Sequence, residues 1–173
     1  MIGVIIRPLF FRKPATFNYY GSIDNGIKLL SNAVRRTPFQ TLLTESLVGK
    51  VTKSKVQIYR YRPLFHNSFV PVFYGRFKSE NGKSILKGEF LLHRSTRAFI
   101  FAWVIGILIF WGCFIFETYI SKKFVYEPLP FNLIPLGMVA FALFLLHIGW
   151  FIGKYDIPYI ERKIQEIFLK GGI

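Results

Sequence analysis

Acidic residues and cysteine are both scarce in this chain. Its 173 residues include 9 Asp and Glu against 23 Lys and Arg, and one cysteine. A single cysteine, Cys113, excludes a disulfide within these residues and a metal site built from several cysteines. Because Cys113 lies in an apolar stretch, we expect it to act as a small apolar side chain.

Histidine is also rare, and the three that occur are far apart in the sequence. His66, His93 and His147 lack the paired spacing of metal ligands, and the chain contains no phosphate-binding loop, dinucleotide fingerprint or nucleophile elbow. We therefore expect no metal, no cofactor and no catalytic residues. An enzyme acting on lipid or envelope substrates is an alternative, and it requires His66 and His93 to meet Glu45 or Glu89 in a pocket.

Two long apolar runs, residues 98–116 and 131–152, dominate the second half of the chain, and neither contains a charged residue. At about 1.5 Å per residue they extend roughly 28 and 33 Å as helices, which matches a hydrocarbon core of about 30 Å. The first run begins too far along the chain for a signal peptide. Pro135 falls in the first turn of the second run, where it favours a helix start over a kink. These runs predict a two-helix transmembrane hairpin, residues 97–153.

The distribution of charge predicts an orientation. Residues 1–97 hold seventeen Lys and Arg against four Asp and Glu, whereas the loop between the two runs carries two of each sign. By the positive-inside rule, both termini face the cytoplasm. The protein is then expected in a bacterial inner membrane, with an organellar inner membrane as the alternative. The basic residues that flank the membrane are Arg94, Arg97, Lys154, Arg162 and Lys163.

His147 is an ionisable residue inside the second apolar run. Intramembrane histidines can belong to proton relays, but neither run offers an acidic residue or a second histidine as a partner. We therefore favour a neutral His147 that is hydrogen-bonded to the other helix.

Residues 1–96 are predicted to form a small basic α+β domain. A strand over 14–20 precedes a helix capped by Ser22, in which apolar residues recur at helical spacing. From Leu42 the period changes to two, and an Asn81-Gly82 pair indicates a hairpin turn. The predicted β segments are 42–51, 55–62, 70–78 and 84–92. The fold class is thus an α+β membrane protein in which a strand, a helix and an antiparallel sheet precede the hairpin.

The motif Tyr59-Arg60-Tyr61-Arg62 interleaves aromatic and guanidinium groups, as nucleic-acid-binding surfaces can. Alternation in a strand separates the tyrosines from the arginines. We interpret it as a strand with buried tyrosines and solvated arginines, and we expect the anionic cytoplasmic leaflet, not nucleic acid, to balance the charge of the domain.

Both ends of the chain combine apolar and basic residues. Residues 154–173 predict a helix whose apolar stripe runs from Ile157 to Phe168, either lying on the bilayer or packed on the β domain. The basic, apolar start of the chain, before Pro14, suits a membrane-hugging or strand-adding tail, with an organellar transit peptide as the alternative.

Two segments carry a resemblance: residues 67–77, NSFVPVFYGRF, and residues 86–93, LKGEFLLH. They resemble a group of small bacterial membrane proteins that combine an NSF-x-P loop, a glycine-bearing strand pair and a transmembrane hairpin. The resemblance implies an α+β domain with two helices and carries no known activity or ligand. The long N-terminus and the amphipathic tail depart from it.

Ordinary structural functions are available for these motif residues. Asn67 and Ser68 can cap a turn, and glycines in paired strands permit a bulge or close packing. The alternative is a ligand or partner surface formed by Asn67, Ser68, His93 and Arg94.

Taken together, these features predict a non-enzymatic, membrane-anchored module that presents a basic cytoplasmic surface to anionic lipid or to a protein partner, including a second copy of the chain. The alternative is an accessory subunit of a larger bacterial or organellar membrane complex, for which the aromatic content of 18% provides contact area.

Overall fold

A computed structural model describes residues 7–34, 45–63, 69–80, 83–117 and 129–171. The elements in chain order are α1 (Arg7–Phe10), β1 (Lys13–Tyr19), α2 (Ile23–Val34), β2 (Ser46–Val51), β3 (Val56–Tyr61), β4 (Pro71–Glu80), β5 (Lys83–Leu92), α3 (Arg94–Ile115), α4 (Leu129–Gly153) and α5 (Asp156–Lys170).

The five strands form one antiparallel sheet in the order β1-β5-β4-β3-β2. The predicted strand before Ser22 and the helix after it are confirmed, and the Ser22 hydroxyl accepts a hydrogen bond from the Asn25 amide over 3.3 Å. Strands β4 and β5 pair along their whole length, as the hairpin prediction requires. The Asn81-Gly82 turn itself lies outside the described residues.

Helices α2 and α5 cover one face of the sheet. Beneath them lies a single apolar core that includes Phe73, Phe90 and Leu86 from the sheet. Exposed Lys87 alternates with buried Leu86, so one face of β5 is buried and the other is open.

The sequence left open whether the C-terminal tail lies on the bilayer or packs on the β domain, and helix α5 packs on the domain. Its residues Ile157, Ile160, Ile164 and Phe168 are buried in the core of the sheet. The apolar stripe therefore faces the α+β domain instead of the bilayer. The tail that the sequence sets apart as residues 154–173 supplies part of the core of that domain.

Helices α3 and α4 pack against each other as a hairpin, and both are long and apolar enough to cross a membrane. Helix α3 begins at Arg94, four residues before the predicted run, because His93 caps it. Most large apolar side chains of the two helices are exposed, among them Phe99, Phe110, Phe141 and Phe144.

The hairpin and the α+β domain are in close contact. A small cluster joins Leu9, Leu92, Ile100 and Leu146, which come from α1, β5, α3 and α4. Farther along α4, Phe69 fills the space beside Gly149, where an added Cβ would lie 2.3 Å from the Phe69 ring. The absence of a side chain at this glycine lets the domain approach the helix.

A candidate anion-binding surface

The sheet face opposite α2 and α5 carries a row of cations. Arg76 of β4 pairs directly with Lys87 of β5. On the other side, Val56 pairs with Gly75, so Lys55, the residue before Val56, lies beside Arg76. Lys55 directly precedes β3, so Lys55, Arg76 and Lys87 lie close to one transverse line across three neighbouring chain segments, about 4.8 Å apart. We call these three residues the cationic row.

The cationic row opposes folding. All three side chains are exposed, and Arg76 and Lys87 are like charges in a direct cross-strand pair, which destabilises a sheet. Opposite charges at such positions would stabilise the sheet. Among the described residues, no contact compensates this repulsion. An arrangement that breaks a local rule of stability in this way is typical of a binding surface.

The row lines a groove of about 680 Å³, which lies within the size range of small-ligand sites. Tyr74, Glu89 and Arg94 also line it. The Arg94 guanidinium lies 5.3 Å from the centroid of the Tyr74 ring. Burial raises the pKa of Tyr74, while Arg94 acts in the opposite direction, so the tyrosine stays neutral at physiological pH.

The one carboxylate among the residues that line this groove does not neutralise the row. Glu89 pairs with Tyr74 in register, one row away from Arg76 and Lys87, and its carboxylate lies 3.9 Å from the Arg12 guanidinium. The surface therefore keeps a strong positive character. Its chemistry suits an anion with several oxygen acceptors.

The other face of β3 carries a second charged cluster, and here the sequence interpretation was wrong. Arg60 and Arg62 are not solvated, since their side chains are 14% and 26% exposed, and both bind the carboxylate of Asp156, which is 4% exposed. Arg60 also binds Glu45 and lies over the ring of Tyr159 at 4.0 Å. This cluster ties β3 to the start of α5.

Strand parity explains the error. Arg60 shares its face with Val56 and Ile58, both fully buried, so it points towards α5. The half-buried tyrosines, Tyr59 and Tyr61, lie on the open face instead. Extending the alternation back from Tyr59 to Ile58 would have revealed this arrangement.

Burial raises the pKa of Asp156, and the two arginines oppose that shift. The carboxylate is enclosed by its partners and by the start of α5. Its surroundings therefore indicate a structural ion pair, not a site that opens to a ligand.

The structure places only part of the predicted ligand surface. Asn67 and Ser68 lie outside the described residues. His93 caps α3: its Nδ1 accepts a hydrogen bond from the Ser95 amide over 3.3 Å and lies 2.6 Å from the Ser95 hydroxyl. Arg94 lines the groove beside the cationic row.

The predicted membrane-flanking cations fall into two groups. Arg94 and Arg97 lie in the first turn of α3, and Lys154 follows the last residue of α4, so these three lie at the domain end of the hairpin. Arg162 and Lys163 lie on α5 and pair with Glu166, at 3.9 and 2.8 Å. The second group is therefore partly neutralised.

His147 is exposed on the outside of α4. Among the residues that the structure describes, it has no hydrogen-bond partner on α3, so the predicted bond between the helices is not found there. Cys113 is also exposed on the hairpin and has a free thiol.

The groups that a lipid-directed enzyme requires are not brought together in the described part of the chain. Glu45 binds Arg60 on the core face, and Glu89 lies on the open face beside Arg12. His66 lies outside the described residues. Within the described ranges, no three His, Cys, Asp or Glu side chains cluster as metal ligands.

Comparison with protein-family models, with curated proteins and with solved structures gives no match to this chain. Its function is therefore inferred from its own residues.

Proposed function

We propose that this chain is a membrane-anchored module whose α+β domain binds anionic phospholipids at the surface of the bilayer that holds it. The observation that carries the proposal is the position of Arg94. This residue begins the first candidate spanning helix, α3, and also lines the cationic groove of the sheet. The basic surface and the membrane anchor therefore share one edge.

The charge balance supports a lipid partner. The domain and its flanks carry most of a net charge of +14, and each cation near an anionic leaflet contributes on the order of 1 kcal/mol to binding. A hairpin anchor keeps the cations within reach of the headgroups, so weak individual contacts act together.

The close fit between domain and anchor supports the same proposal. Phe69 packs beside Gly149, and Asp156 binds Arg60 three residues after α4 ends. A domain joined through such contacts holds its basic groove at a fixed height above the anchor. A freely tethered domain would have no preferred face.

In this proposal both termini face the cytoplasm, because the basic residues lie on the domain side of the hairpin. The test replaces Cys113 with serine and introduces Lys28→Cys on the exposed side of α2. A membrane-impermeant maleimide should label Lys28→Cys only after the inner membrane of spheroplasts is opened. Labelling of intact spheroplasts would place the domain outside the cytoplasm and contradict the orientation.

Lipid binding is tested by mass spectrometry of the lipids that remain with the full chain in mild detergent. Arg94→Gln with Arg97→Gln removes two charges at the membrane edge and should weaken anionic lipid binding by about 2 kcal/mol, or about thirtyfold. The matched control, Arg162→Gln with Lys163→Gln, also removes two charges but from residues already paired with Glu166. Equal losses of lipid binding in both variants would show that binding depends on net charge alone. If no anionic lipid remained with the unmodified chain, the proposal would be contradicted.

One observation favours a second candidate, an accessory subunit of a larger membrane complex. The hairpin carries a groove of about 660 Å³ with an almost wholly apolar lining, including Trp103, Phe110 and Met138. Gly106 also lines it, and an added Cβ there would meet nothing within 4 Å, which leaves room for another helix. Stoichiometric companion proteins after gentle solubilisation would support this candidate, and a chain that elutes alone would count against it.

A further inference from the structure

We infer that the cationic row is a specific site for the phosphomonoester headgroup of an anionic lipid. This inference rests on the proposed function and sharpens it, since a diffuse attraction to any negative lipid would not require a site. It concerns Lys55, Arg76 and Lys87, none of which the sequence singled out.

The geometry of the row suits one phosphate group. Arg76 occupies the middle strand, Lys87 of β5 pairs with it, and Lys55, the residue just before β3, lies on its other side. A guanidinium binds two phosphate oxygens at once through its planar fork, whereas an ammonium acts as a point charge. Three side chains that start about 4.8 Å apart can converge on one group between them.

The number of cations favours a monoester over a diester. A phosphomonoester carries about −1.5 to −2 charges near pH 7 and offers three terminal oxygens, whereas a diester carries one charge. Three neighbouring cations, of which Arg76 and Lys87 form a direct cross-strand pair, repel one another, so they are best balanced by a group with more than one charge. The discrimination between these headgroups is what distinguishes a built site from general attraction.

The setting of the groove favours a lipid over a soluble phosphate. Arg94 lines the same groove as Arg76 and begins the candidate spanning helix α3. A headgroup that enters from the bilayer edge would meet Arg94 first and the row beyond it. The groove volume of about 680 Å³ accommodates a headgroup.

The experiment uses the full chain in nanodiscs of phosphatidylcholine that contain a minority of either phosphatidate, a monoester, or phosphatidylglycerol, a diester. Native mass spectrometry of the released protein counts the lipids that stay bound. We expect the unmodified chain to retain phosphatidate preferentially. Arg76→Gln should reduce phosphatidate binding about fivefold, and the triple variant of the row to glutamine by about a hundredfold.

The matched control is Lys28→Gln, which removes one exposed charge from α2 on the opposite side of the sheet. It should leave phosphatidate binding unchanged. The triple variant should be at least as stable to thermal unfolding as the unmodified chain, because it relieves repulsion within the row. Reduced binding in a well-folded variant then reports the site itself.

The outcomes separate this inference from the proposed function. If phosphatidate and phosphatidylglycerol bind equally, or if Lys28→Gln weakens binding as much as Arg76→Gln, the specific site is wrong although lipid binding stands. If inorganic phosphate displaces phosphatidate as readily as soluble short-chain phosphatidate does, the lipid source is wrong. If neither anionic lipid binds, the inference and the proposed function are both overturned.

Discussion

Arg60 donates a hydrogen bond to Asp156 over 3.0 Å and thereby joins β3 to the first turn of α5, across a separation of 96 residues. Asp156 stands three residues after the end of α4. The same contact thus fixes the sheet, the C-terminal helix and the end of the hairpin relative to one another. Arg62 binds the same carboxylate, so one buried acid is the partner of two partly buried cations.

Replacing Asp156 by alanine should destabilise the α+β domain by about 2–4 kcal/mol. The variant leaves Arg62 without a counter-charge and Arg60 with Glu45 alone, and breaking a buried ion pair is costly. This loss of stability is smaller than that usual for a fully buried ion pair, because the arginines keep some access to water. Chemical unfolding of the full chain in mild detergent measures the loss.

The control for this variant is Glu166→Ala on the exposed side of α5. Glu166 pairs with Arg162 and Lys163, which are exposed or half-exposed, so its loss should cost less than about 0.5 kcal/mol. An equal effect of the two substitutions would show that the Asp156 cluster contributes no more than a surface ion pair.

The pH dependence of stability should also contain a contribution from Asp156. Since burial raises its pKa in the folded state, the folded chain binds a proton here more tightly than the unfolded chain does. This contribution is fully present below the unfolded pKa and is lost as the pH rises through the folded one. The stability of the unmodified chain relative to Asp156→Asn should therefore fall as the pH rises from the unfolded-state pKa of Asp156 through its folded-state pKa.

Unfolding curves of both proteins at a series of pH values provide the test, and their difference removes the contributions of the other carboxylates. A difference that increases with pH would mean that the arginines outweigh burial and that the pKa of Asp156 is lowered instead.

Ile164→Ala should destabilise the domain by about 2–5 kcal/mol, because it opens a cavity beneath α5 where Ile164 is fully buried. The neighbouring Gln165 is exposed, and Gln165→Ala should change stability by less than about 0.5 kcal/mol. The free energy of unfolding in detergent measures both. If α5 lay on the bilayer instead, Ile164→Ala would reduce membrane contact and leave the stability of the sheet unchanged.

Local patterns in the sequence predicted much of this fold. Alternation and the Asn81-Gly82 pair indicated β4 and β5, and Ser22 marked the start of α2. These features are encoded within a few residues, so a single sequence contains them. The apolar runs that became α3 and α4 were equally visible, because helix length and composition are local properties.

The candidate site depended on pairing between strands, which local patterns do not contain. Nothing in the sequence places Lys55, Arg76 and Lys87 in one row until the register of β3, β4 and β5 is known. The partner of Arg60 was similarly hidden, because Asp156 lies beyond both apolar runs. Arg94 was predicted in both functions, as a flanking cation and a surface residue, since it lies next to the helix start.

Gly149→Ala should loosen the junction between the hairpin and the α+β domain. A Cβ at this position would lie 2.3 Å from the ring of Phe69 and 2.9 Å from its Cβ, so Phe69 has to move away from α4. Crowding of this kind typically costs about 1–3 kcal/mol.

Gly137→Ala on the same helix is the matched control, because an added Cβ there meets nothing within 4 Å. Hydrogen exchange at the start of β4 should become faster in Gly149→Ala only, since that strand begins two residues after Phe69. Equal exchange in the two variants would show that the contact between Phe69 and α4 does not hold the domain in place. It would also contradict the proposal that this contact keeps the groove at a fixed height above the hairpin.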